Sequence, residues 1–229
     1  MPTKVEWADE TWNPVTGCAP VSPGCQNCYA RRMATRLAGR YGYPKDDPFR
    51  VTFHPDRLAE PLVWRKPRRI FVCSMSDPFH PEALQYLPYI FRAAKLRPQH
   101  TFMLLTKRPE NIDKTTLCEW LPNVWLGVTA ENQAGWDKRV PILLDTPAAV
   151  RFVSVEPQIE LIVPGLNLPN WVIQGAETGP GKRAFDLDWA RAMRDKCKEA
   201  RVPYFFKKDG QGNHELDGRV HESFPGEGV

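Results

Sequence analysis

Three cysteines, Cys18, Cys25 and Cys28, lie within eleven residues in a C-x6-C-x2-C pattern. The glycines and prolines at 17–24 disfavour a regular element there, so the thiols are predicted to lie on a tight loop. A helical pattern begins immediately after the third cysteine, at Tyr29. Closely spaced thiolates on such a loop suit a soft metal or an iron–sulfur cluster. A closed structural zinc site uses four ligands, whereas three cysteines on a cubane cluster leave one iron open to another ligand.

The remaining cysteines, Cys73, Cys118 and Cys197, are isolated in apolar or helical context and are interpreted as buried or incidental thiols. The chain has no run of 18 apolar residues, and its N-terminus lacks the apolar segment of a signal peptide. We therefore expect a cytoplasmic protein with reduced thiols and no membrane association. Its net charge of +4 is too small to imply nucleic-acid binding by itself.

Six apolar runs of strand-like composition recur along the 229 residues, and helical patterns separate several of them. Continuous apolar runs are typical of parallel strands covered on both faces. Alternation of strands with helices favours βαβ units, so the sequence predicts an α/β fold, a partial (β/α) barrel of about six parallel strands. The predicted strands are 70–73, 102–105, 124–128, 150–153, 171–173 and 204–206, and the predicted helices after residue 80 are 82–95, 110–121, 133–144 and 187–200.

Residues 1–209 are predicted to form one barrel-like domain that contains the cysteine loop at 16–29. Residues 210–229 are polar, with Asp217-Gly218 and Pro225-Gly226 turn signals, and are predicted to form a C-terminal tail or hairpin.

Polar and charged residues follow each of the six predicted strands. In a parallel barrel the carboxyl ends of the strands meet on one face, where active sites of this architecture lie. Loops are polar in any protein, but six consecutive charged strand ends favour one shared site beside the cysteine loop. The candidate binding residues are Ser74, Ser76, Asp77, Lys107, Arg108, Glu131, Glu156, Gly175, Glu177 and Lys207.

Six segments carry distinctive motifs: Trp12–Cys18, Ser22–Cys25, Cys28–Ala30, Ser74–Asp77, Leu105–Glu110 and Phe205–Lys207. Together they resemble a family of phage and bacterial proteins without an assigned function, which is itself similar to radical S-adenosylmethionine (SAM) enzymes. The resemblance extends from Glu6 to about Pro225. The cysteine spacing differs from the usual C-x3-C-x2-C of that superfamily, and Asn27 stands where an aromatic residue often precedes the last cysteine.

The resemblance implies that Cys18, Cys25 and Cys28 bind three irons of a [4Fe–4S] cluster, and that SAM chelates the fourth iron. One electron would then cleave SAM to methionine and a 5′-deoxyadenosyl radical, which abstracts hydrogen from the substrate. A flavodoxin or ferredoxin would supply the electron.

The resemblance also implies roles for some strand-end residues. Ser74, Ser76 and Asp77 occupy the place of the glycine-glycine-glutamate segment that holds the methionine amino group in the superfamily. The methionine carboxylate would pair with Lys107 or Arg108. The segment 175–177 would allow close approach of adenine or substrate.

Neither the substrate nor the catalytic residues follow from the sequence, although a nucleobase, nucleoside or DNA substrate is compatible with it. The alternative is a zinc-binding barrel protein with a structural or hydrolytic metal, held by the three cysteines with His80, Cys73 or a carboxylate. A third possibility is a non-catalytic binding protein in which the cysteines are only structural.

Overall fold

A computed structural model describes residues 3, 5–114 and 119–226. The strands are β1 Glu10–Trp12, β2 Val15–Thr16, β3 Thr52–Phe53, β4 Arg69–Val72, β5 Thr101–Thr106, β6 Val124–Thr129, β7 Val150–Val155, β8 Trp171–Gly175, β9 Tyr204–Lys208, β10 Glu215–Leu216 and β11 Arg219–Val220. The α-helices are α1 Tyr29–Arg36, α2 Glu60–Val63, α3 Leu87–Leu96, α4 Gln133–Asp145 and α5 Leu187–Ala200. Short 3-10 helices lie at Pro23–Cys25, Pro55–Arg57, Leu84–Tyr86 and Pro109–Lys114.

Seven strands form the main parallel sheet, in the order β1-β4-β5-β6-β7-β8-β9. The predicted α/β class is therefore confirmed, while the expected six strands are seven. The additional strand is β1, which pairs in parallel with β4 with Glu10 opposite Ile70. Sequence reasoning missed β1 because it is three residues long and only Trp12 in it is buried. With β1 and β9 at its edges, the sheet has the open strand order of a half-barrel.

Strands β4 to β9 correspond to the apolar runs of the sequence, as is typical of parallel strands covered on both faces. All five residues of β8 are buried, as are four of the six residues of β7. The predicted helices 133–144 and 187–200 are confirmed as α4 and α5. The Asn132 side chain caps α4 by accepting a 2.8 Å hydrogen bond from the Gly135 N–H.

Two helix predictions need correction. The helix predicted over 82–95 is a 3-10 turn followed by α3, which begins at Leu87 with Pro88 in its first turn. Proline is well tolerated there because its missing N–H would have no intrahelical partner. The predicted helix over 110–121 is a 3-10 helix at Pro109–Lys114, and residues 115–118 of that prediction lie outside the described chain.

The chain divides into two compact units. Unit 1 comprises Met1–Val21, Cys28–Leu126 and Pro147–Ala149, and unit 2 comprises Ser22–Asn27, Gly127–Thr146 and Val150–Val229. By this division Cys18 and Cys28 belong to unit 1, and Cys25 belongs to unit 2.

Each unit has a core of large buried side chains. In unit 1 the indole of Trp12 meets the ring of Phe102 edge-on, with 5.9 Å between centroids. In unit 2 Trp171 packs against Phe152 and Phe205, with centroids 5.6 and 6.3 Å away. Strands β10 and β11 form an antiparallel hairpin near the C-terminal end of the described part of unit 2. Across the described ranges, every helix is too short or too polar to span a bilayer.

Candidate functional site

The chain enters the cysteine loop through Thr16 and Gly17 in unit 1. The Thr16 hydroxyl lies 2.8 Å from Nε2 of the buried His54. Gly17 has a φ of +86°, and a Cβ at this position would overlap the backbone carbonyl of Arg50. Its N–H donates to the carbonyl of Met75 at 2.9 Å. Only glycine fits this passage, because a side chain would meet backbone and not a movable side chain.

Cys18 lies against the guanidinium of Arg108, which also belongs to unit 1. The Nη1 atom of Arg108 is 3.4 Å from the Cys18 sulfur and 3.1 Å from Oδ2 of Asp77. Its Nη2 atom donates to the Ala19 carbonyl at 2.6 Å. Burial alone would lower the pKa of Arg108, but Cys18 and Asp77 outweigh burial and raise it. The guanidinium is therefore positively charged beside the thiol, which favours the thiolate form of Cys18.

Asp77 orients Arg108 and is itself held by four hydrogen bonds. Its Oδ1 accepts from the Phe79 N–H and the Thr106 hydroxyl, and its Oδ2 accepts from the Lys107 N–H and from Arg108. Lys107 therefore contacts Asp77 through its backbone N–H.

The two predicted serines also lie near the start of the cysteine loop. The Ser76 hydroxyl donates to the Gly17 carbonyl at 2.5 Å, and the Ser74 hydroxyl donates to Oδ1 of Asn13 at 3.2 Å. The same Asn13 oxygen accepts from the Met75 N–H at 2.9 Å. In unit 1, therefore, the structure brings the predicted residues after β4 and β5 together around the segment 13–19.

Cys25 lies in unit 2 on the 3-10 turn Pro23–Cys25, with the Ser22 hydroxyl 3.6 Å from its sulfur. The neighbouring Asn27 amide donates to Oε2 of Glu177 at 3.1 Å and to the Gly181 carbonyl at 2.9 Å. Arg183 donates to Oε2 of the same carboxylate at 2.9 Å through Nε and to Oε1 at 2.5 Å through Nη2. We call Asn27, Glu177 and Arg183 the Glu177 group.

The Glu177 group fixes the backbone on both sides of Cys25. Besides its bonds to Glu177, Arg183 donates to the Pro23 carbonyl at 3.1 Å. Burial would raise the pKa of Glu177, but the hydrogen bonds from Arg183 and Asn27 lower it to about 2. Glu177 is therefore a carboxylate at any physiological pH.

Glu131, another predicted residue, also contacts the segment Ser22–Asn27. Its Oε1 accepts from the Gly24 N–H at 3.4 Å, and its Oε2 pairs with Arg139 at 2.6 Å. Both charged side chains of this pair are buried. Two of the five predicted residues of unit 2 thus contact the cysteine loop directly.

Glu156 and Lys207 form a separate ion pair of 2.6 Å in unit 2. Glu156 follows β7, and Lys207 lies in β9. Gly175, at the end of the intervening strand β8, lies between them. A Cβ on Gly175 would come within 3.2 Å of Cβ of Lys207 and 3.7 Å of Cδ of Glu156. The absence of a side chain at residue 175 therefore leaves room for the pair to form across β8.

Cys28 is the N-cap of α1 and packs beside the buried Ala30, Ala34 and Met75. Cys18, Cys25 and Cys28 are thiols of intermediate exposure, whereas Cys73 and Cys197 are buried. Burial raises the pKa of both the Cys73 and the Cys197 thiols to about 12, so these two are protonated and inert. This agrees with their interpretation as buried thiols, while Cys118 lies outside the described residues.

The described residues contain no group of three or more His, Cys, Asp or Glu side chains arranged to hold a metal ion. His80, the histidine considered for a zinc site, is buried, and burial lowers its pKa. By chemical type the three loop thiols fit a thiolate-bound cluster, and Arg108 supplies the positive charge that stabilises a thiolate at Cys18.

Sequence reasoning missed Arg183, Asn13 and His54, which hold the cysteine loop. Arg183 follows Gly179-Pro180-Gly181, a turn sequence immediately after the strand end that contains Glu177. A basic residue on so short a turn can fold back onto that carboxylate, and this was a usable signal. Asn13 and His54 gave no comparable signal, because their partners are distant in the sequence. His54 meets Thr16 where β2 pairs with β3, and Asn13 meets Ser74 and Met75 after β4.

A family profile described as "Protein of unknown function (DUF5131)" matches residues 2–225. The chain belongs to this family. No curated protein and no solved structure matched it. The family assignment covers nearly the whole chain, including all the residues described above, and leaves its chemistry to be argued from those residues.

Proposed function

We propose that this member of the DUF5131 family is an enzyme that holds a [4Fe–4S] cluster at Cys18, Cys25 and Cys28 and uses it to cleave SAM. The observation that supports this proposal is the state of the cysteine loop. Its three thiols are not joined in disulfides, are partly exposed, and include one that contacts a buried guanidinium. Cys73 and Cys197, outside the loop, are also free thiols, but both are buried.

The chemistry that such a cluster supplies when bound is the one-electron reduction of SAM to methionine and a 5′-deoxyadenosyl radical. The protein's own contribution begins with the thiolates. Arg108 stabilises negative charge on Cys18, and Asp77 fixes the orientation of Arg108. We assign Asp77 and Arg108 to the support of Cys18, in addition to any contact with SAM. The Asp77 carboxylate already has four hydrogen-bonding partners, and the Arg108 guanidinium already has three.

In unit 2 the predicted residues divide into two roles. We assign Glu131 and Glu177 to positioning, because both contact the segment around Cys25 and are paired with arginines. Glu156 and Lys207 are assigned to ligand binding. Their side chains are 20% and 15% exposed, so a ligand with both a hydrogen-bond donor and an acceptor could reach the pair.

The test is anaerobic reconstitution with iron and sulfide, followed by metal analysis, visible absorption and chromatography of the products. We expect the native protein to bind about four irons per chain, to turn brown and, once reduced, to form 5′-deoxyadenosine from SAM. Cys25→Ala or Cys28→Ala should prevent cluster incorporation, whereas Cys197→Ala, which removes a buried thiol on α5, should not.

Stoichiometric zinc in place of iron would contradict the cluster assignment, and full iron incorporation into Cys25→Ala would contradict the assignment of Cys25 as a ligand. A fully reconstituted, reduced cluster that neither binds SAM nor yields 5′-deoxyadenosine would contradict the reaction while leaving the cluster in place. The two parts of the proposal are therefore tested separately.

A further inference from the structure

The helix α1 that follows Cys28 has an exposed face composed of residue types that favour protein contact. Tyr29 and Met33 are spaced i, i+4 and are 50% and 43% exposed. Arg36 continues this stripe at i+7 and is also exposed. The neighbouring face, with Ala30 and Ala34, is buried against Tyr43 and Met75. The helix therefore has one face buried in the core of unit 1 and another on which large side chains are partly exposed. On this second face the Tyr29 hydroxyl donates to the Ser74 carbonyl, which holds the tyrosine in place.

The exposed face is strongly basic. Residues 11–45 contain five basic residues, Arg31, Arg32, Arg36, Arg40 and Lys45, and no acidic residue. Arg40 follows the helix and donates to the backbone carbonyl of Arg36, so it lies beside the last turn. Arg31 is held over the ring of Phe49, 5.5 Å from its centroid. A surface of this charge favours an acidic partner.

The composition of the face distinguishes a protein partner from a nucleic acid. Tyrosine, methionine and arginine are the types enriched at protein–protein interfaces, whereas lysine, aspartate and glutamate are depleted there. Among the exposed positions of α1, Tyr29, Arg31, Met33 and Arg36 are of the enriched types and Thr35 is not. Phosphate binding would use the arginines but gives no reason for an exposed methionine between them.

We propose that the exposed face of α1, comprising Tyr29, Met33, Arg36 and Arg40, is the docking surface for an acidic electron-carrier protein. This inference rests on the proposed function, which requires an electron donor, and it assigns the place where the donor binds. Cys28 is the N-cap of the same helix, so a carrier seated on α1 contacts the element that begins at a cluster ligand. Its carboxylates would pair with the arginines, while an apolar contact would cover Tyr29 and Met33.

The test uses a purified flavodoxin as the acidic carrier and measures its binding to the full chain at low and high salt. The double variant Arg36→Glu/Arg40→Glu should weaken binding by about tenfold or more at low salt. The matched control is Arg65→Glu/Lys66→Glu, which reverses two exposed charges before β4 in the same unit and should bind normally. Met33→Gln, which keeps the helix and the charge, should weaken binding severalfold without changing its salt dependence.

The same variants separate this inference from the proposed function. SAM cleavage driven by dithionite should be unchanged in Arg36→Glu/Arg40→Glu, while cleavage driven by the reduced flavodoxin should fall. Failure to form a cluster would contradict the proposed function but leaves the binding measurement intact. No binding of flavodoxin to the native protein, equal losses in the two double variants, or displacement of bound flavodoxin by short duplex DNA would each overturn the docking proposal.

Discussion

The two ends of the cysteine loop are held in different ways. At the Cys18 end, in unit 1, backbone passes against backbone at Gly17, and Arg108 and Asp77 are almost completely buried, with side chains 7% and 8% exposed. Around Cys25, in unit 2, side chains from a later part of the chain hold the loop. There Glu177 is 4% exposed, but its partner Arg183 is 28% exposed.

This difference decides how each end responds to damage. A buried ion pair that loses one partner leaves a charge without solvent, which costs more than the pair itself contributed. Water can reach Arg183 when Glu177 is altered, whereas Asp77 has no comparable access to solvent. We therefore expect the Cys18 end to behave as a rigid support, and the segment around Cys25 as an adjustable one.

The largest effect is expected from Gly17→Ala. The new Cβ would overlap the Arg50 carbonyl, and the φ of +86° is itself unfavourable for alanine. We expect the free energy of unfolding to fall by about 3 kcal/mol or more, measured by urea unfolding. In unit 2, Gly181→Ala has a similar φ of +73° but its Cβ would be 3.7 Å from the Asn27 side chain, so it should cost only about 1 kcal/mol. Equal losses would show that the two ends are equally rigid.

The next effect in size is that of Arg108→Ala, which leaves the Asp77 carboxylate buried without its ionic partner. We expect a loss of about 3 kcal/mol in the free energy of unfolding. Combining it with Asp77→Asn should restore part of that loss, because the buried charge is removed. Arg92→Ala, at an exposed position of α3, is the control and should stay within about 0.5 kcal/mol. A double variant less stable than Arg108→Ala would refute the buried-charge explanation.

A smaller effect is expected from Glu177→Gln, which keeps the shape of the side chain but removes its charge. The expected loss is about 2 kcal/mol, because the charge-assisted bonds from Arg183 are weakened and Arg183 can turn to water. In the cluster-free protein, Cys25 should react faster with iodoacetamide, while the buried Cys197 should not change. Glu215→Gln, at an exposed position of β10, should leave both rates as they are.

The smallest effect is a difference in acid response between the two ends. Burial lowers the pKa of His54 to about 4 from its usual 6.5, with a further lowering by Arg57 and an opposing effect of Asp56. The stability that neutral His54 contributes is therefore present above pH 6.5 and is lost as the pH falls toward 4. The stability that the Glu177 carboxylate contributes is present above pH 4.5 and is lost as the pH falls toward about 2.

Between pH 6.5 and 4.5, then, hydrogen exchange should increase in peptides covering 11–18 and not in peptides covering 22–27, after correction for intrinsic rates. His54→Gln should remove the difference. An increase confined to 22–27 would reverse the assignment of the two responses.

The α/β class, most of the parallel strands and the helices α4 and α5 could be predicted from the sequence, because continuous apolar runs and capped amphipathic helices leave direct patterns. The strand β1 could not, since it is only three residues long and depends on pairing with β4. The helix start at Leu87 was misplaced because Glu82 and Pro88 both fit a helix N-terminus.

The candidate site was predictable in its residues but not in their contacts. The strand-end rule located Asp77, Glu131 and Glu177, and the structure places each of them in hydrogen bonds with the cysteine loop or with a residue that contacts it. Strand position alone does not say which carboxylate meets an arginine. Arg183 and Arg139 were overlooked for that reason, since each comes from a separate turn or helix.

The bond between Asn27 and Glu177 joins residues 150 positions apart in the chain. During synthesis on the ribosome, all three loop cysteines emerge early, but the side chains that hold the segment around Cys25 are made only after most of the strands. A nascent chain ending at Leu126 would contain every proposed cluster ligand and neither Glu177 nor Arg183. Under the proposed function, insertion of the cluster is therefore expected to follow completion of the chain, and the order of translation would itself delay the exposure of a reactive centre.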